Sequence, residues 1–278
     1  MDPQKDPARR SIEAADALLL ATGAGMGVDS GLPDFRGNTG FWRAYPALEK
    51  AQKTFTEIAN PAAFEQTPRV AWAFYGHRLE LYRRTRPHDG FARLLAFGSG
   101  LKEGMFVFTS NVDGHFQAAG FHPDRIVECH GSIHHLQCTR PCCGILWSAN
   151  GTEVAIHEPT FEADGVLPAC PRCGALARPN VLLFGDGGWI TSRTRSQEKR
   201  LQRWLERIAL NRAKLAVLEI GAGLAVPTVR ITSERISRAF GATLVRINPR
   251  EPGTPNGGYG FAVGALEGIR MLVPERRP

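Results

Sequence analysis

Five of the six cysteines stand in one central segment, at spacings typical of a metal site. Cys170 and Cys173 are separated by two residues and followed by glycine, a turn that lets both thiolates face one metal ion. Cys138 can join them with either Cys142 or Cys143, since both spacings are usual for zinc ligands. Four thiolates leave no open coordination position, so the pattern predicts a structural zinc ion rather than a catalytic one.

A second chemical feature is Gly23-Ala24-Gly25, which follows the apolar run Ala17–Ala21. Glycines directly after a buried strand permit a tight turn and let backbone N–H groups approach a pyrophosphate. The spacing departs from the full dinucleotide fingerprint, because Val28 stands where a third glycine or alanine is expected. No acidic residue closes a following strand about 20 positions on, which disfavours a standard dehydrogenase. The turn is therefore either a phosphate-binding loop or a plain turn.

Two further groups of residues could bind a ligand. The loop after the glycine turn joins an acid, an aromatic ring and an arginine in Asp34-Phe35-Arg36, and arginine can hold a phosphate in planar, bidentate fashion. Tyr75 and Arg78 are three residues apart, which places both on one face of a helix. Taken alone, that pair is better explained by an amphipathic helix with tyrosine in the core and arginine at the rim.

Buried strands must position these groups, and short apolar runs in the sequence predict where the strands lie. The runs, each ending in a glycine or polar turn, are Ala17–Ala21, Met105–Phe108, Arg125–Glu128, Leu215–Ile220 and Thr243–Ile247. Continuous apolar strands belong to a parallel sheet covered on both faces. Apolar stripes at helical spacing cover residues 70–82, 201–208 and 226–240. The alternation predicts a doubly wound, Rossmann-like α/β fold with ligands at the carboxyl ends of the strands.

Two segments interrupt this alternation and predict a smaller lobe. Residues 38–85 are mainly helical, and residues 134–180 hold the clustered cysteines without a long periodic element. We therefore expect a Rossmann-like domain from residues 1–37, 86–133 and 181–278, a helical insertion over 38–85, and a zinc-binding module over 134–180.

Composition excludes several classes of protein. The 278 residues are 43% apolar and 22% charged, which rules out a fully disordered, collagenous or coiled-coil chain. The run Ala17–Ala21 is too short for a membrane span or signal-peptide core, so we expect a cytoplasmic protein without a membrane partner. The net charge is +7, and residues 193–214 hold eight Lys or Arg against two Glu, which indicates one charged helix face in solvent. A nucleic-acid-binding zinc module is the weakest interpretation, because the cysteine segment has few basic or aromatic residues.

Several motifs in a single order resemble the sirtuin family of NAD-dependent protein deacylases. The matching segments are Gly23-Ala24-Gly25 with residues 30–37, Thr109-Ser110-Asn111-Val112-Asp113, His130-Gly131, residues 178–186, residues 221–227, Ile247-Asn248 and Gly264-Ala265. The resemblance implies NAD as co-substrate, one structural zinc ion, and acylated lysine side chains of proteins as substrates.

The resemblance also assigns a role to each segment. It implies an NAD site formed by Gly23, Ala24, Gly25, Asp34, Phe35, Arg36, Ser110, Asn111, Asp113, Gly221, Ala222, Gly223, Asn248 and Ala265. His130 is implied as the general base on a ribose hydroxyl, while Asn111 and Asp113 hold the ribose and the nicotinamide carboxamide. A histidine suits this role because its ordinary pKa lies near neutrality. The acyl-lysine is expected to lie against Val181, Phe184 and Gly185.

The resemblance narrows the choice of zinc ligands. Similar bacterial sirtuins carry a Cys-x3-Cys pair, which favours the set Cys138, Cys142, Cys170 and Cys173 and keeps Cys143 as the alternative. Cys129 next to His130 could suggest a nucleophile pair. Adjacent strand residues point to opposite faces, so we expect Cys129 to be a buried residue instead.

Departures from the family pattern leave a second enzymatic reading open. Ser110 stands in place of a glutamine, Gly27 in place of a serine, and Ala222-Gly223 in place of a Thr-Ser pair. These changes remove polar partners for the nucleotide, which gives weight to an NAD hydrolase or mono-ADP-ribosyltransferase using the same pocket.

The resemblance implies a binding role for the pair Tyr75 and Arg78. In the sirtuin subgroup that removes succinyl, malonyl and glutaryl groups, a Tyr-x-x-Arg pair in the corresponding region binds the acyl carboxylate. The neighbouring segments 40–43 and 60–64 also look like that subgroup. We therefore expect a preference for acidic acyl groups.

Overall fold

The structure is a computed structural model that describes residues 3–33, 41–42, 45–50, 52–140 and 142–275. The first half of the chain contains α1 Lys5–Glu13, β1 Ala17–Thr22, α2 Gly25–Val28, α3 Pro46–Lys50, α4 Phe55–Ile58, α5 Pro61–Gln66, α6 Pro68–Arg84, α7 Asp89–Ser99, β2 Gly104–Thr109, α8 His115–Ala118 and β3 Ile126–Glu128. The second half contains β4 Gly131–Cys138, β5 Leu146–Ser148, β6 Ile156–His157, β7 Glu162–Ala163, β8 Ala177–Val181, α9 Ser192–Leu210, β9 Leu215–Ile220, α10 Thr228–Phe240, β10 Thr243–Ile247, β11 Tyr259–Phe261 and α11 Ala265–Leu272.

Six parallel strands form the main sheet in the order β11-β10-β9-β1-β2-β3. When the six strands are numbered in the order in which they occur along the chain, their order across the sheet is 3-2-1-4-5-6. This is the Rossmann arrangement. The strand order reverses between β1 and β9, and ligands bind at the carboxyl ends of the strands beside such a reversal. The predicted doubly wound α/β fold is confirmed.

The alternation of side chains along β1 shows why its sequence is apolar throughout. Leu18 and Leu20 pack on one face of the sheet, with the apolar sides of α1, α7 and α11. Leu19 and Ala21 pack on the other face, with α9 and α10. Because successive strand residues point to opposite faces, a strand covered on both sides needs apolar residues at every position.

A second core holds the smaller lobe together. Apolar residues of α3 to α6 pack against residues of β4 and β8, with Trp72 and Phe74 fully buried. The cysteine-containing segment forms an antiparallel sheet in the order β5-β4-β8, and β6 pairs with β7. These short strands have no periodic signal in the sequence. β4 begins at Gly131, three residues before the predicted start of the zinc module, so one strand crosses that boundary.

The predicted helices are present, with shifted ends. The helix over residues 70–82 extends over Pro68–Arg84, and the stripe over residues 201–208 lies within the longer helix Ser192–Leu210. The helix predicted over residues 226–240 begins at Thr228, with Pro227 at its N-cap. Within the described residues, no helix has the length and apolar character needed to cross a membrane.

A close backbone approach after β1 makes Gly23 intolerant of a side chain. A Cβ at Gly23 lies 2.8 Å from both Ala222 Cα and Gly221 O, so the two turns must separate. We expect Gly23→Ala to lose about 3 kcal/mol of unfolding free energy, measured by urea denaturation. Gly253→Ala is the control, since a Cβ there meets nothing within 4 Å. Equal stability of the two variants would show that the contact between the turns is not tight.

Candidate active site

The turn after β1 and the turn after β9 meet where the strand order reverses. The Gly25 N–H donates to Gly221 O at 3.1 Å, and the Gly23 N–H donates to Ile220 O at 3.0 Å. Gly221 has φ +65°, and a Cβ on it would lie 2.5 Å from Gly25 Cα. The contact is therefore backbone to backbone, and its glycines are required by space as well as by conformation.

The turn after β9 is held by two buried polar side chains. Arg230 Nε and Asn248 Nδ2 donate to Ala222 O at 3.1 and 2.7 Å. Asn248 Oδ1 accepts the backbone N–H groups of Arg250 and Glu251, both at 3.0 Å. Asn248 is fully buried, so its bonds order the two loops that carry Ala222 and Arg250.

The segment after β2 is fixed to β1 through its backbone. The Ser110 N–H donates to Thr22 O at 3.1 Å, and the Asn111 N–H donates to Thr109 Oγ1 at 3.0 Å. Asp113 is buried, and its Oδ1 accepts the His115 N–H at 2.9 Å. Burial raises the pKa of the Asp113 carboxyl above its ordinary range, because it disfavours the charged form.

His130 lies just beyond the end of β3, with Nε2 3.4 Å from Thr228 Oγ1 at the start of α10. Burial lowers the pKa of His130 below its ordinary value of 6.5, so the ring is neutral at neutral pH and can accept a proton.

Cys129 is buried as predicted, although the reason given from strand alternation is wrong, because β3 ends at Glu128. Its side chain packs in the core beneath α9. Burial raises the pKa of the Cys129 thiol to about 12, which makes it a poor nucleophile.

Tyr75 and Arg78 on α6 are both buried, so the arginine is not at the rim of the helix. The Arg78 guanidinium lies over the rings of Phe74, Tyr75 and Tyr82, at 5.2, 5.7 and 5.3 Å from their centroids. Its Nε and Nη2 donate to Tyr82 Oη at 3.0 and 2.6 Å. Within the described residues, the buried Tyr75 hydroxyl has no hydrogen-bond partner, and burial raises its pKa to about 12.

The chain from β8 onward forms the opposite wall. The Leu182 N–H donates to His130 O at 2.9 Å, and the Phe184 N–H donates to Ala59 O at 2.8 Å, which joins this segment to both lobes. Asp186 closes the loop through a 2.8 Å ion pair with Arg178, and both side chains are almost fully buried. The Phe184 ring is 40% exposed.

These elements surround one cavity of about 730 Å³. The sequence-predicted residues that line it are Gly23, Ala24, Tyr75, Arg78, Ser110, Asn111, Asp113, His130, Val181, Phe184, Gly221, Ala222 and Gly223. Four others do not line it: Gly25 supports the turn, Asn248 holds the loops, Ala265 is buried at the start of α11, and Gly185 is exposed with φ +69°. Asp34, Phe35 and Arg36 lie outside the described residues.

Sequence reasoning missed several residues of the cavity wall. These are mainly Phe55, Thr56, Tyr82, Leu224, Thr228, Arg250 and Glu251. Tyr82 could have been found, because it is four residues after Arg78 on the same helix face. Thr228 and Arg250 carry no such local signal, since the folding of distant segments brings them to the cavity.

The structure brings Cys138, Cys142, Cys170 and Cys173 together, with all four Sγ atoms within 4.8 Å of one another. The Cys138–Cys173 and Cys142–Cys170 Sγ distances are 3.7 and 3.6 Å. Tetrahedral zinc with Zn–S bonds of about 2.3 Å requires sulfur atoms about 3.8 Å apart, so the cluster fits this metal. Cys143 Sγ lies 3.2 Å from Cys142 Sγ but is not part of the cluster.

Comparisons with known proteins agree with this architecture. An NAD-dependent protein deacylase of Thermus thermophilus is 30% identical, and the alignment covers 97% of this chain and 94% of that protein. NAD-dependent protein deacylase 2 of Pyrobaculum aerophilum is 34% identical, over 83% of this chain and 78% of that protein. The crystal structure of a Sir2 homologue–NAD complex superposes with a TM-score of 0.73 at 27% identity, covering 96% of this chain and 92% of that one.

The family model described as the Sir2 family matches residues 23–202, from the first glycine turn into α9. This range includes the His130 turn, the four clustered cysteines and the helical insertion. With near full-length similarity to the Thermus deacylase, it shows that the chain belongs to the Sir2 family.

Proposed function

We propose that this protein is an NAD-dependent protein-lysine deacylase that releases nicotinamide and forms O-acyl-ADP-ribose and free lysine. One observation carries the proposal: the strand ends that precede Gly23, Ser110, His130 and Gly221 converge on a single cavity, which the small lobe closes with Tyr75 and Arg78. The relatives named NAD-dependent protein deacylases support the same activity.

The glycine turns suit the phosphates and riboses of NAD. Gly23 and Gly221 keep side chains away from this end of the cavity, so a diphosphate can approach backbone N–H groups closely. The bound NAD supplies an electrophilic anomeric carbon when its nicotinamide leaves. Asn111 and Asp113 line the cavity beside this end and can hold the ribose and the carboxamide.

His130 is positioned to remove a proton from a ribose hydroxyl. The ring is neutral at neutral pH, and Thr228 lies close enough to orient it. The acyl-lysine would enter along residues 181–184, where Val181 and the half-exposed Phe184 ring form an apolar wall. The methylene stem of a lysine suits such a wall.

The finer proposal is a preference for succinyl and malonyl groups. A buried guanidinium in the cavity wall favours a carboxylate at the end of the acyl chain, and arginine binds carboxylates with well-defined geometry. The buried Tyr75 hydroxyl needs a hydrogen-bond acceptor, which the same carboxylate supplies.

We also propose that Cys138, Cys142, Cys170 and Cys173 hold one zinc ion. All four belong to the smaller lobe, and none lines the cavity, so the metal would stabilise that lobe and take no part in the reaction. A cytoplasmic location and the absence of a nucleic-acid partner stay predictions.

The activity is tested with NAD and matched acetyl-, succinyl- and malonyl-lysine peptides, following nicotinamide and O-acyl-ADP-ribose. Peptide-dependent formation of both products is expected. Nicotinamide release that is independent of the peptide would favour an NAD hydrolase or ADP-ribosyltransferase. No turnover of NAD with any peptide would overturn the proposed activity.

For His130→Ala, we expect deacylation to fall about a thousandfold, because the variant lacks the general base. The exposed His122→Ala is the control and should retain full activity. A base must be deprotonated to work, so the acidic limb of the pH–kcat/KM profile should have its midpoint below 6.5 in the wild type. A midpoint above that value, or an active His130→Ala, would assign the base elsewhere.

For Arg78→Met, we expect kcat/KM to fall about a hundredfold on the succinyl peptide and less than about threefold on the acetyl peptide. Tyr75→Phe removes only the hydroxyl and should cost about tenfold on succinyl alone. Arg84→Met, an exposed change on the same helix, is the control. Equal losses on both peptides would mean that the pair serves packing rather than specificity.

For Cys142→Ser, we expect loss of the bound zinc and a melting temperature lower by about 5 °C or more, because metal binding contributes to folding. Cys143→Ser is the matched control and should keep one zinc per chain. Zinc is measured by mass spectrometry of the purified proteins, and unfolding by calorimetry. Loss of zinc from Cys143→Ser, with zinc retained by Cys142→Ser, would identify Cys143 as the ligand.

A further inference from the structure

A second cavity, of about 480 Å³, lies beside the proposed active site and shares two lining residues with it, Tyr82 and Asp113. Its walls come from the end of α6, the segment around α8, strand β4 and the first turns of α9. The polar residues that line it are Arg83, Thr85, Gln117, Ser132, His134, His135, Arg193, Gln197 and Arg200, together with Tyr82 and Asp113. Its volume is in the range of small-molecule sites, about 300 to 1,000 Å³.

The charge of the second cavity favours an anion. Arg83, Arg193 and Arg200 line it, and Arg193 is ion-paired with the buried Glu128. Among the described residues, the one carboxylate in the lining is Asp113, whose pKa is raised by burial. Arg83 donates to Thr152 O and Ala149 O at 2.8 and 2.7 Å, and these carbonyls leave its charge unneutralised. Arg200 forms an ion pair with Asp124 at 3.3 Å, and the aspartate side chain is 65% exposed, so the pair is weak.

Three wall residues have a buried nitrogen atom without a hydrogen-bond partner within the described residues, and one of them, Arg200 Nε, lies 3.3 Å from the Asp124 carboxylate. The other two atoms are Arg193 Nη1 and His135 Nδ1. The other terminal nitrogen of Arg193, Nη2, donates to Glu128 at the end of β3. Buried polar atoms are almost always satisfied by protein, water or ligand, so these two indicate that the cavity is built to hold a polar molecule.

We propose that the second cavity binds a small organic anion carrying carboxylate or phosphate groups, separately from the ligands of the first cavity. Arg83 and Arg200 supply the charge at its edges, and Arg193 and His135 supply donors deeper in the wall. A cation is disfavoured by the guanidinium groups of Arg83 and Arg200, and an apolar ligand would leave the buried nitrogens unsatisfied.

Binding is measured by isothermal titration calorimetry at constant ionic strength, with citrate as the carboxylate probe and inorganic phosphate as the other. We expect at least one probe to bind the wild type and to bind about tenfold more weakly to Arg83→Gln and to Arg200→Gln. Arg84→Gln and Arg203→Gln remove exposed charges from the same two helices outside the cavity and should bind like the wild type. Arg83→Lys keeps the charge and should retain most of the affinity.

Each titration is repeated with saturating ADP-ribose, which is expected to occupy the first cavity. Binding of the probe that persists supports a separate site. Loss of binding with ADP-ribose, equal weakening in the control variants, or no binding of either probe would overturn the proposal. If ADP-ribose itself fails to bind, that result counts against the proposed deacylase activity. The comparison of the Arg83 and Arg200 variants with the Arg84 and Arg203 controls still decides whether this cavity binds an anion.

Discussion

The contact between two backbone turns, at Gly23–Gly25 and at Gly221, is the constraint on which the rest of the site depends. It occurs where the strand order reverses, so the chains leaving β1 and β9 must separate to opposite faces of the sheet. The two turns touch without side chains between them, which leaves backbone groups at the floor of the cavity. Asn248 and Arg230 hold the second of these turns by both donating to the Ala222 carbonyl.

Much of this architecture is predictable from sequence, because it follows from local rules. A strand covered on both faces is apolar at every position, so β1, β2, β9 and β10 are visible as short runs to within one or two residues. The ends of those runs carry the polar residues of the site. Order along the chain then predicts that Asn111, Asp113 and His130 belong together, since parallel strands end at one edge of the sheet.

The rest of the site depends on distant packing that no local pattern encodes. Thr228 reaches His130 only because α10 begins beside the turn after β3. Arg78 looks like a rim residue in the sequence, yet the rings of Phe74, Tyr75 and Tyr82 surround it and bury its charge. The strands β5 to β7 are two or three residues long, too short for a period-2 signal to be recognised.

A polar contact joins the helical part of the small lobe to the strands that lead to the active site. Trp72 Nε1 donates to Ala177 O at 2.9 Å, which fixes α6 to the strand that leads into the proposed acyl-lysine wall. That strand pairs with β4, and β4 runs directly from His130 to Cys138. The cysteine cluster thus lies at the Cys138–Ala177 end of the paired strands β4 and β8. The opposite end of this pair, at Gly131 and Val181, lies at the cavity. A metal there would set the position of Val181 relative to His130 without touching either residue.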